Sequence, residues 1–341
     1  MWYVGLDAHS KRSSFCVLDE NGKQVRAEPI IGPWSKVLEV LATIKKPFAI
    51  CFEASTGYGV LFERLAKLAT RVLVAHPGHL RLIFRSKRKS DRIDAQKLAK
   101  LLYLDEVPQV HVPDREVRSW RGLIEYRKKN VGKRTGVKCE IRALLRGLGV
   151  EMPARLWTKK NLAWLREQEL PTVLDRIRLE DLLDQFAHLT KTLKMVEQEL
   201  NARAAAHPGV QLLMTIPGVG VRTAEAVIAY IDDPQRFHST KAIGAYFGIV
   251  PCLDESAGKG RYGHITKNGP STVRALVTEA AWQAIRRSPE VKKRHERIMQ
   301  GKDERKKLAV VAIGHYLLRV MLAMLKTGEV WREPVARTQQ R

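Results

Sequence analysis

Four carboxylates stand at positions where folding could bring them together. Asp7 and Glu53 each directly follow a short apolar run that predicts a buried strand. Asp91 and Asp94 are three residues apart at a predicted helix start, with Ser90 as the cap, so both project from one helical face. Because open α/β sheets build their sites at the carboxyl ends of strands, we predict that the four acids converge.

Such a cluster predicts a divalent metal site. Close carboxylates repel one another unless cations neutralise them, and hard oxygen ligands suit Mg²⁺ or Mn²⁺. One or two such ions can activate the attacking oxygen and stabilise the leaving oxygen at a phosphodiester. Alternatively, each acid is an ordinary strand-end or helix-cap residue. A basic stretch before Asp91 is either a solvated loop or a DNA-backbone contact beside the acids, and it contains Arg81, Arg85, Lys87, Arg88 and Lys89.

The charge of the whole chain favours a polyanionic partner. Its 341 residues include 60 Lys and Arg against 36 Asp and Glu, a formal net charge of +24. A charge of this size indicates nucleic acid as the partner. The stretch 116–147 is helical in composition and rich in Lys and Arg. It is either a helix that binds nucleic acid backbone or the solvated face of a bundle helix.

Residues 212–224 form the most specific local motif. An Ile-Pro-Gly-Val-Gly turn separates two helical segments, which predicts a helix–hairpin–helix. Gly218 and Gly220 would expose backbone amides at the start of the second helix, beside Arg222 and Thr223, where the positive end of the helix dipole favours phosphate. Binding of this kind is independent of base sequence. The alternative is an ordinary turn between helices.

A glycine-rich, basic segment at 254–269 predicts a mobile loop. It contains Ser256, Lys259, Arg261 and Lys267. A serine in such a loop is usually a turn residue, so composition alone assigns no chemistry to Ser256.

The surrounding elements predict an α/β domain followed by helices. Strands alternate with helices through residue 75, and a turn signal at 20–22 predicts an antiparallel edge hairpin. A heptad seam from Leu182 to Leu200 could pack on 116–147 or on a second subunit. We expect three parts: a catalytic domain at 1–110, a helical coiled-coil connector at 111–205 and a C-terminal DNA-binding domain at 206–341.

The sequence carries no sign of secretion or of a membrane span. Its four cysteines form no CxxC pair and fit a reduced compartment. The N-terminus begins with a predicted strand and not with a signal peptide. The longest apolar run, 308–325, contains His315 and Arg319 and predicts a buried helix. We therefore expect a cytoplasmic protein with no membrane partner.

Taken together, the motifs follow one another in the order found in a known protein family, over about residues 2 to 330. They are Gly5-Leu6-Asp7, Glu53-Ala54-Ser55-Thr56-Gly57, Asp91-Arg92-Ile93-Asp94-Ala95, the helix–hairpin–helix, Gly248-Ile249-Val250-Pro251, Glu255-Ser256, Gly263-His264-Ile265-Thr266-Lys267-Asn268-Gly269 and Val273-Arg274-Ala275-Leu276. In this order the chain resembles the DEDD transposases of the one-ten insertion-sequence family. Those proteins are bridge-RNA-guided recombinases with a RuvC-like domain of the RNase H type.

The resemblance implies roles for the acids and for the serine. Asp7, Glu53, Asp91 and Asp94 would be catalytic and bind Mg²⁺ or Mn²⁺, and Ser256 would be the nucleophile. The fold would be an RNase H/RuvC-like domain, a coiled-coil connector and a mostly helical domain with a helix–hairpin–helix. The partners would be target and donor double-stranded DNA, a non-coding guide RNA, and further copies of the chain in a dimer or tetramer.

The implied reaction is DNA strand transfer. Ser256 would attack phosphorus to form phosphoserine-linked DNA, which conserves the phosphodiester energy for rejoining without ATP. Lys259, Arg261 and Lys267 would stabilise the charge of the pentavalent phosphorus. A structure-specific nuclease of the Holliday-junction resolvase type is the alternative enzyme, with the same acids and water as nucleophile. A non-enzymatic helix–hairpin–helix scaffold would bind DNA without Mg²⁺.

Overall fold

The computed structural model describes residues 1–83, 90–256 and 259–333, with the side chains of 254–261 excepted. The chain forms two compact units, Met1–Glu116 and Val117–Arg341. The first unit is an α/β domain, and the second consists mainly of helices. The predicted combination of an α/β part and a helical part is therefore confirmed.

One five-stranded mixed sheet forms the centre of the first unit. Its strands are β1 (Trp2–Asp7), β2 (Arg12–Leu18), β3 (Gln24–Ile31), β4 (Phe48–Glu53) and β5 (Arg71–Ala75). The order across the sheet is β3-β2-β1-β4-β5, with β1, β2 and β3 antiparallel and β1, β4 and β5 parallel. The predicted antiparallel edge hairpin is present, and the arrangement is consistent with an RNase H-like domain.

Helices pack on both faces of this sheet. They are α1 (Trp34–Ala42), α2 (Tyr58–Leu65), α3 (Pro77–Ile83) and α4 (Asp91–Tyr103). Val4 and Leu6 of β1 are buried in the cluster that contains α1 and α2, whereas Gly5 between them faces α4. A β-carbon on Gly5 would lie 2.1 Å from the Ala95 carbonyl oxygen and 2.3 Å from the Ala99 amide nitrogen. Only glycine lets α4 pack this closely against β1.

Long helices follow the sheet domain. They are α5 (Arg115–Gly147), α6 (Lys159–Glu167) and α7 (Val173–Ala206). The heptad seam of α7 packs on α5 of the same chain. Leu182 and Phe186 share one buried cluster with Ile141, and Leu200 shares another with Trp120. Of the two partners that the sequence left open, the chain's own basic helix is the one that covers this seam.

The remaining elements are a two-stranded hairpin and further helices on either side of it. They are α8 (Pro208–Met214), α9 (Val221–Ile231), α10 (Ala242–Tyr246), β6 (Pro251–Ser256), β7 (Lys259–Ile265), α11 (Ser271–Arg287), α12 (Pro289–Met299) and α13 (Lys306–Thr327). The predicted loop over 254–269 is wrong, because β6 and β7 pair there as antiparallel strands. Leu253 lies opposite Tyr262, a cross-strand pair that favours a ladder despite the glycine-rich composition.

Helix α13 contains the long apolar run of the sequence. Among the described helices it is the one long and apolar enough to cross a membrane, with a mean hydropathy of 2.0 over its best 18-residue window. Half of that window is buried inside the protein. Ile313, Leu317 and Met321 are fully buried in the core of the second unit. Core packing accounts for the apolar character of α13, as the sequence predicted.

Candidate active site

Asp7 and Glu53 end adjacent strands at one edge of the sheet. β1 and β4 are parallel neighbours, and Leu6 pairs with Phe52 in register. The residue after each member of that pair is an acid, so both carboxylates stand at the carboxyl ends of their strands. Both residues are partly buried. The sheet therefore fixes their backbones while leaving one side of each acid open.

Asp91 and Asp94 lie in the first turn of α4. Ser90 caps this helix as predicted, and its Oγ accepts a hydrogen bond from the Ile93 amide at 3.3 Å. The positive end of the helix dipole stabilises carboxylates at this position. Because α4 packs against β1 at Gly5, its first turn lies beside the end of that strand.

The charges of Glu53, Asp91 and Asp94 all act on the Asp7 carboxyl. Burial raises the pKa of the Asp7 carboxyl above its usual value. His9 lowers this pKa, whereas Asp91, Asp94 and Glu53 raise it further by repulsion. The structure thus brings Glu53, Asp91 and Asp94 within electrostatic reach of Asp7. A cation at this edge would relieve the repulsion.

His9 belongs to this group, and the sequence reasoning missed it. Its Nε2 lies 3.4 Å from Asp7 Oδ2. One ligand atom each from Asp7, His9 and Asp91 lie within 4.8 Å of one another, a spacing that could hold a metal ion. The buried Ser13 orients the His9 backbone, since its Oγ accepts from the His9 amide and donates to the His9 carbonyl, both at 3.2 Å. The sequence offered only a weak signal, a histidine two residues after the first acid and just beyond the end of β1.

The donor set fits a divalent cation. Carboxylate oxygens suit Mg²⁺ and Mn²⁺, and an added imidazole nitrogen is better suited to Mn²⁺ than to Mg²⁺. Asp7, Glu53, Asp91 and Asp94 could supply the oxygens and His9 the nitrogen.

The predicted helix–hairpin–helix consists of α8, a turn and α9. Gly218 in the turn has φ +89°, and a β-carbon there would lie 2.5 Å from the Ala284 amide nitrogen of α11. Gly220 is the N-cap of α9, and no described atom lies within 4 Å of its β-carbon position. Gly218 is therefore required by backbone conformation and packing, while Gly220 leaves the start of α9 accessible.

The side chains of Arg222 and Thr223 are engaged inside the second unit. Arg222 Nη1 lies 2.7 Å from Oε1 of the buried Glu225. Thr223 is only 6% exposed, and its Oγ1 donates to the Leu276 carbonyl at 3.5 Å. These contacts stabilise the packing around α9. With these side chains engaged, any phosphate contact predicted for this turn would have to come from backbone amides at the start of α9.

The remaining predicted residues lie on the β6–β7 hairpin or outside the described residues. In register, Ser256 pairs with Lys259 and Arg261 pairs with Asp254. Lys267 follows β7 with φ +56°, and its amide donates to the Gly248 carbonyl at 3.1 Å. Four basic residues lie outside the described residues: Arg85, Lys87, Arg88 and Lys89.

Comparisons with known proteins match both units. Residues 4–149 match the transposase profile of DEDD type for IS110 elements, and residues 210–296 match the profile described as Transposase IS116/IS110/IS902 family. The transposase for insertion sequence element IS1111A of Coxiella burnetii is 25% identical over 96% of this chain and 91% of the relative. The transposase for IS1328 of Yersinia enterocolitica is 27% identical over 72% of this chain and 73% of the relative.

A further relative, a probable family 20 transposase of Pseudomonas aeruginosa, is 26% identical over 84% of this chain and 86% of its own length.

These matches, together with interacting acids at the carboxyl ends of an α/β sheet and a strongly basic chain, indicate an enzyme that processes DNA. The chain belongs to the IS116/IS110/IS902 family of insertion-sequence transposases.

Proposed function

We propose that this transposase cuts and rejoins DNA through a covalent phosphoserine intermediate at Ser256. The observation that carries the proposal is the convergence of Glu53, Asp91 and Asp94 on Asp7, with burial and repulsion raising the pKa of that carboxyl. An anionic cluster of this kind is suited to holding divalent cations against a phosphodiester. Bound Mg²⁺ or Mn²⁺ would withdraw charge from the scissile phosphate and stabilise the leaving oxygen.

The residues divide the reaction between them. Asp7, Glu53, Asp91 and Asp94 would hold the cations beside the scissile phosphate, and His9 would add a nitrogen donor beside Asp7. The Ser256 hydroxyl loses its proton and its Oγ bonds to phosphorus, while the bond from phosphorus to one deoxyribose oxygen breaks. That oxygen takes up one proton, which balances the proton lost by Ser256, and leaves as a DNA hydroxyl. A hydroxyl of the new partner strand later attacks the same phosphorus and releases Ser256, so the number of phosphodiesters is conserved.

The basic groups of the hairpin complete the proposal. Lys259, Arg261 and Lys267 would stabilise the pentavalent phosphorus, and the amides at Gly218 and Gly220 would hold the DNA backbone without reading sequence. A basic stretch ahead of α4 would hold the strand beside the acids, through Arg85, Lys87, Arg88 and Lys89. A non-coding guide RNA would select the target and donor duplexes by base pairing, and the protein would act in the cytoplasm.

The acids and the serine belong to different compact units of the chain. We propose a division into a RuvC-like domain at 1–110, a coiled-coil connector at 111–205 and a transposase domain with a helix–hairpin–helix at 206–341. The acids of one subunit would then act with the serine of another in a dimer or tetramer. Mixing Asp7→Ala protein with Ser256→Ala protein should restore activity that neither variant has alone. If the mixture is inactive while the wild type is active under the same conditions, catalysis across subunits is contradicted.

The proposal is tested by trapping DNA on the protein. Purified protein, the RNA of its element, target DNA and Mg²⁺ are incubated and separated on a denaturing gel. We expect a DNA–protein adduct with wild type, no adduct with Ser256→Ala or Asp7→Ala, and an unchanged adduct with the exposed-serine control Ser239→Ala. Cleavage that survives Ser256→Ala without adduct would overturn the proposal in favour of a resolvase-type nuclease with water as nucleophile.

A further inference from the structure

The two strands of the serine hairpin continue as paired chain into the helical body. Residues 247–250 lead into β6, and residues 266–269 lead out of β7. The Thr266 amide donates to the Val250 carbonyl at 2.9 Å, and the Lys267 amide donates to the Gly248 carbonyl at 3.1 Å. These two segments, called the hairpin base below, extend the backbone pairing of β6 and β7 beyond the ends of the two strands.

Two glycines interlock the segments of the hairpin base. Gly248 has φ +63°, and its β-carbon position lies 2.2 Å from the Asn268 amide nitrogen of the opposite segment. Gly269 has φ +67°, and its β-carbon position lies 2.2 Å from the Tyr246 carbonyl oxygen. A side chain at either position would push the segments apart. The base therefore has one close-fitting arrangement.

Arg274 ties both segments to α11. Its guanidinium Nη1 lies 3.2 Å from the Phe247 carbonyl oxygen on the incoming segment and 3.0 Å from the Gly269 carbonyl oxygen on the outgoing one. The same nitrogen also donates to the Asn268 carbonyl. Arg274 is partly buried in the first turn of α11, a helix that begins just after the base. A permanently charged, planar group thus bridges three carbonyl oxygens across the root of the hairpin.

We propose that Arg274 is a positioning residue that sets the direction in which the hairpin projects, and thereby the position of Ser256. The inference rests on the proposed nucleophilic role of Ser256. An isolated two-stranded hairpin is at best marginally stable in water, so the contacts at its root decide its orientation. Leu253 and Tyr262 on the hairpin are 55% and 73% exposed, so the helical body gives little support farther out. Arg274 acts through the backbone and needs no contact with DNA.

Hydrogen exchange tests the clamp without any chemistry at Ser256. In full-length Arg274→Ala, amides of β6 and β7 should exchange about tenfold faster or more, because charge-assisted hydrogen bonds to three carbonyls are lost. Amides of α13 serve as the internal reference for global stability and should not change. Arg287→Ala, an exposed arginine in the last turn of the same helix, is the matched control and should leave both regions as in wild type. Unchanged hairpin exchange, or an equal rise in α13, would overturn the proposal.

A rate measurement separates positioning from binding. Arg274→Ala should form the DNA adduct about tenfold more slowly while its DNA affinity stays within about twofold, since the clamp lies behind the reacting residue. Arg274→Lys should recover part of the rate, and millimolar guanidinium should partly restore Arg274→Ala. An unchanged adduct rate would overturn the positioning role. If wild type forms no adduct at all, the nucleophile proposal fails, and hydrogen exchange alone then decides whether Arg274 holds the hairpin.

Discussion

The carboxylate edge of the first unit and the serine hairpin of the second are held by different kinds of structure. Asp7 and Glu53 end neighbouring strands of a five-stranded sheet with helices on both faces. Ser256 ends one strand of a two-stranded hairpin whose cross-strand pair of Leu253 and Tyr262 is exposed. One reactive group is supported by a buried core, and the other by backbone contacts at its root.

This difference separates two ways of positioning a reactive group. A buried sheet fixes its strand ends as a consequence of folding, so the acids need only one special contact, the close approach of α4 at Gly5. Outside the side chains of 254–261, the described part of the hairpin shows no such core, so we expect its direction to depend on Gly248, Gly269 and Arg274. Perturbing the first arrangement should mainly lower global stability, whereas perturbing the second should lower global stability less and should change the local order of the hairpin and the reaction rate.

The largest effect is expected for Gly5→Ala. The new β-carbon would lie 2.1 Å from a backbone oxygen of α4, so strand and helix must separate. We expect a loss of about 3 kcal/mol in the free energy of unfolding, measured by urea denaturation, together with loss of cleavage. Gly136→Ala, in the open middle of α5, is the matched control and should stabilise the protein by up to about 1 kcal/mol. Equal behaviour of the two variants would refute the proposed packing of β1 against α4.

A smaller effect is expected for Gly269→Ala at the hairpin base. Both Gly269 and Gly301 have positive φ, but only Gly269 has a neighbour, the Tyr246 carbonyl oxygen, at its β-carbon position. Alanine at Gly301 should cost about 1 kcal/mol for backbone conformation alone. Alanine at Gly269 should cost about 1 kcal/mol more than alanine at Gly301, because Gly269 and Tyr246 must also move apart. Thermal unfolding measures the difference, and identical losses would mean that the base is not closely interlocked.

A pH-dependent effect is expected for Asp7→Asn in the absence of metal. Burial, Asp91, Asp94 and Glu53 raise the folded-state pKa of Asp7 above 3.8. The folded state therefore binds the Asp7 proton more tightly, so this group favours folding at low pH and that contribution is lost as pH rises through the raised pKa. At pH 7 with a chelator, Asp7→Asn should be more stable than wild type, and the gap should close as pH falls towards 4. Melting temperatures of wild type and Asp7→Asn, measured over a series of pH values with the chelator present, test this difference in stability. A gap that widens on acidification would contradict the convergence of the acids.

The smallest effect is expected for His9→Ala. A nitrogen donor favours Mn²⁺ over Mg²⁺, so the variant should lose about tenfold in Mn²⁺ affinity and less in Mg²⁺ affinity. Free Mn²⁺ is counted by electron paramagnetic resonance, with Mg²⁺ as competitor. His79→Ala, an exposed histidine of the same unit, provides the control. No loss for either ion would place His9 outside the metal environment, and equal losses would mean that its nitrogen does not favour Mn²⁺.

The sequence was informative where local rules determine structure. Apolar runs predicted the strands that end at Asp7 and Glu53, and the cap at Ser90 predicted the start of α4. Heptad spacing predicted the seam of α7, although the spacing could not choose between a partner in the same chain and a second subunit. Each of these features depends on side-chain period or capping chemistry within a short stretch of chain.

Tertiary contacts explain what the sequence did not reveal. The closeness of Gly5 to Ala95 joins residues far apart in the chain, and a glycine in a strand has several meanings. The segment at 254–269 was predicted as a loop because it is rich in glycine and charged residues. In the folded chain most of it pairs as two antiparallel strands, which the hairpin base supports. Arg274 was identified only as part of a motif, since its three carbonyl partners come together only in the folded chain.

The most direct test of the account identifies the amino acid that carries the DNA. Trypsin cleavage after Lys241 and Lys259 releases residues 242–259, which contain Tyr246 and the single serine Ser256. After a reaction with Mg²⁺ and nuclease digestion, fragmentation mass spectrometry should place a nucleotide on Ser256 in wild type and find none in Asp7→Asn. A nucleotide on another residue, or unmodified peptide beside efficient DNA cleavage, would contradict the claim that the four acids and Ser256 share one reaction.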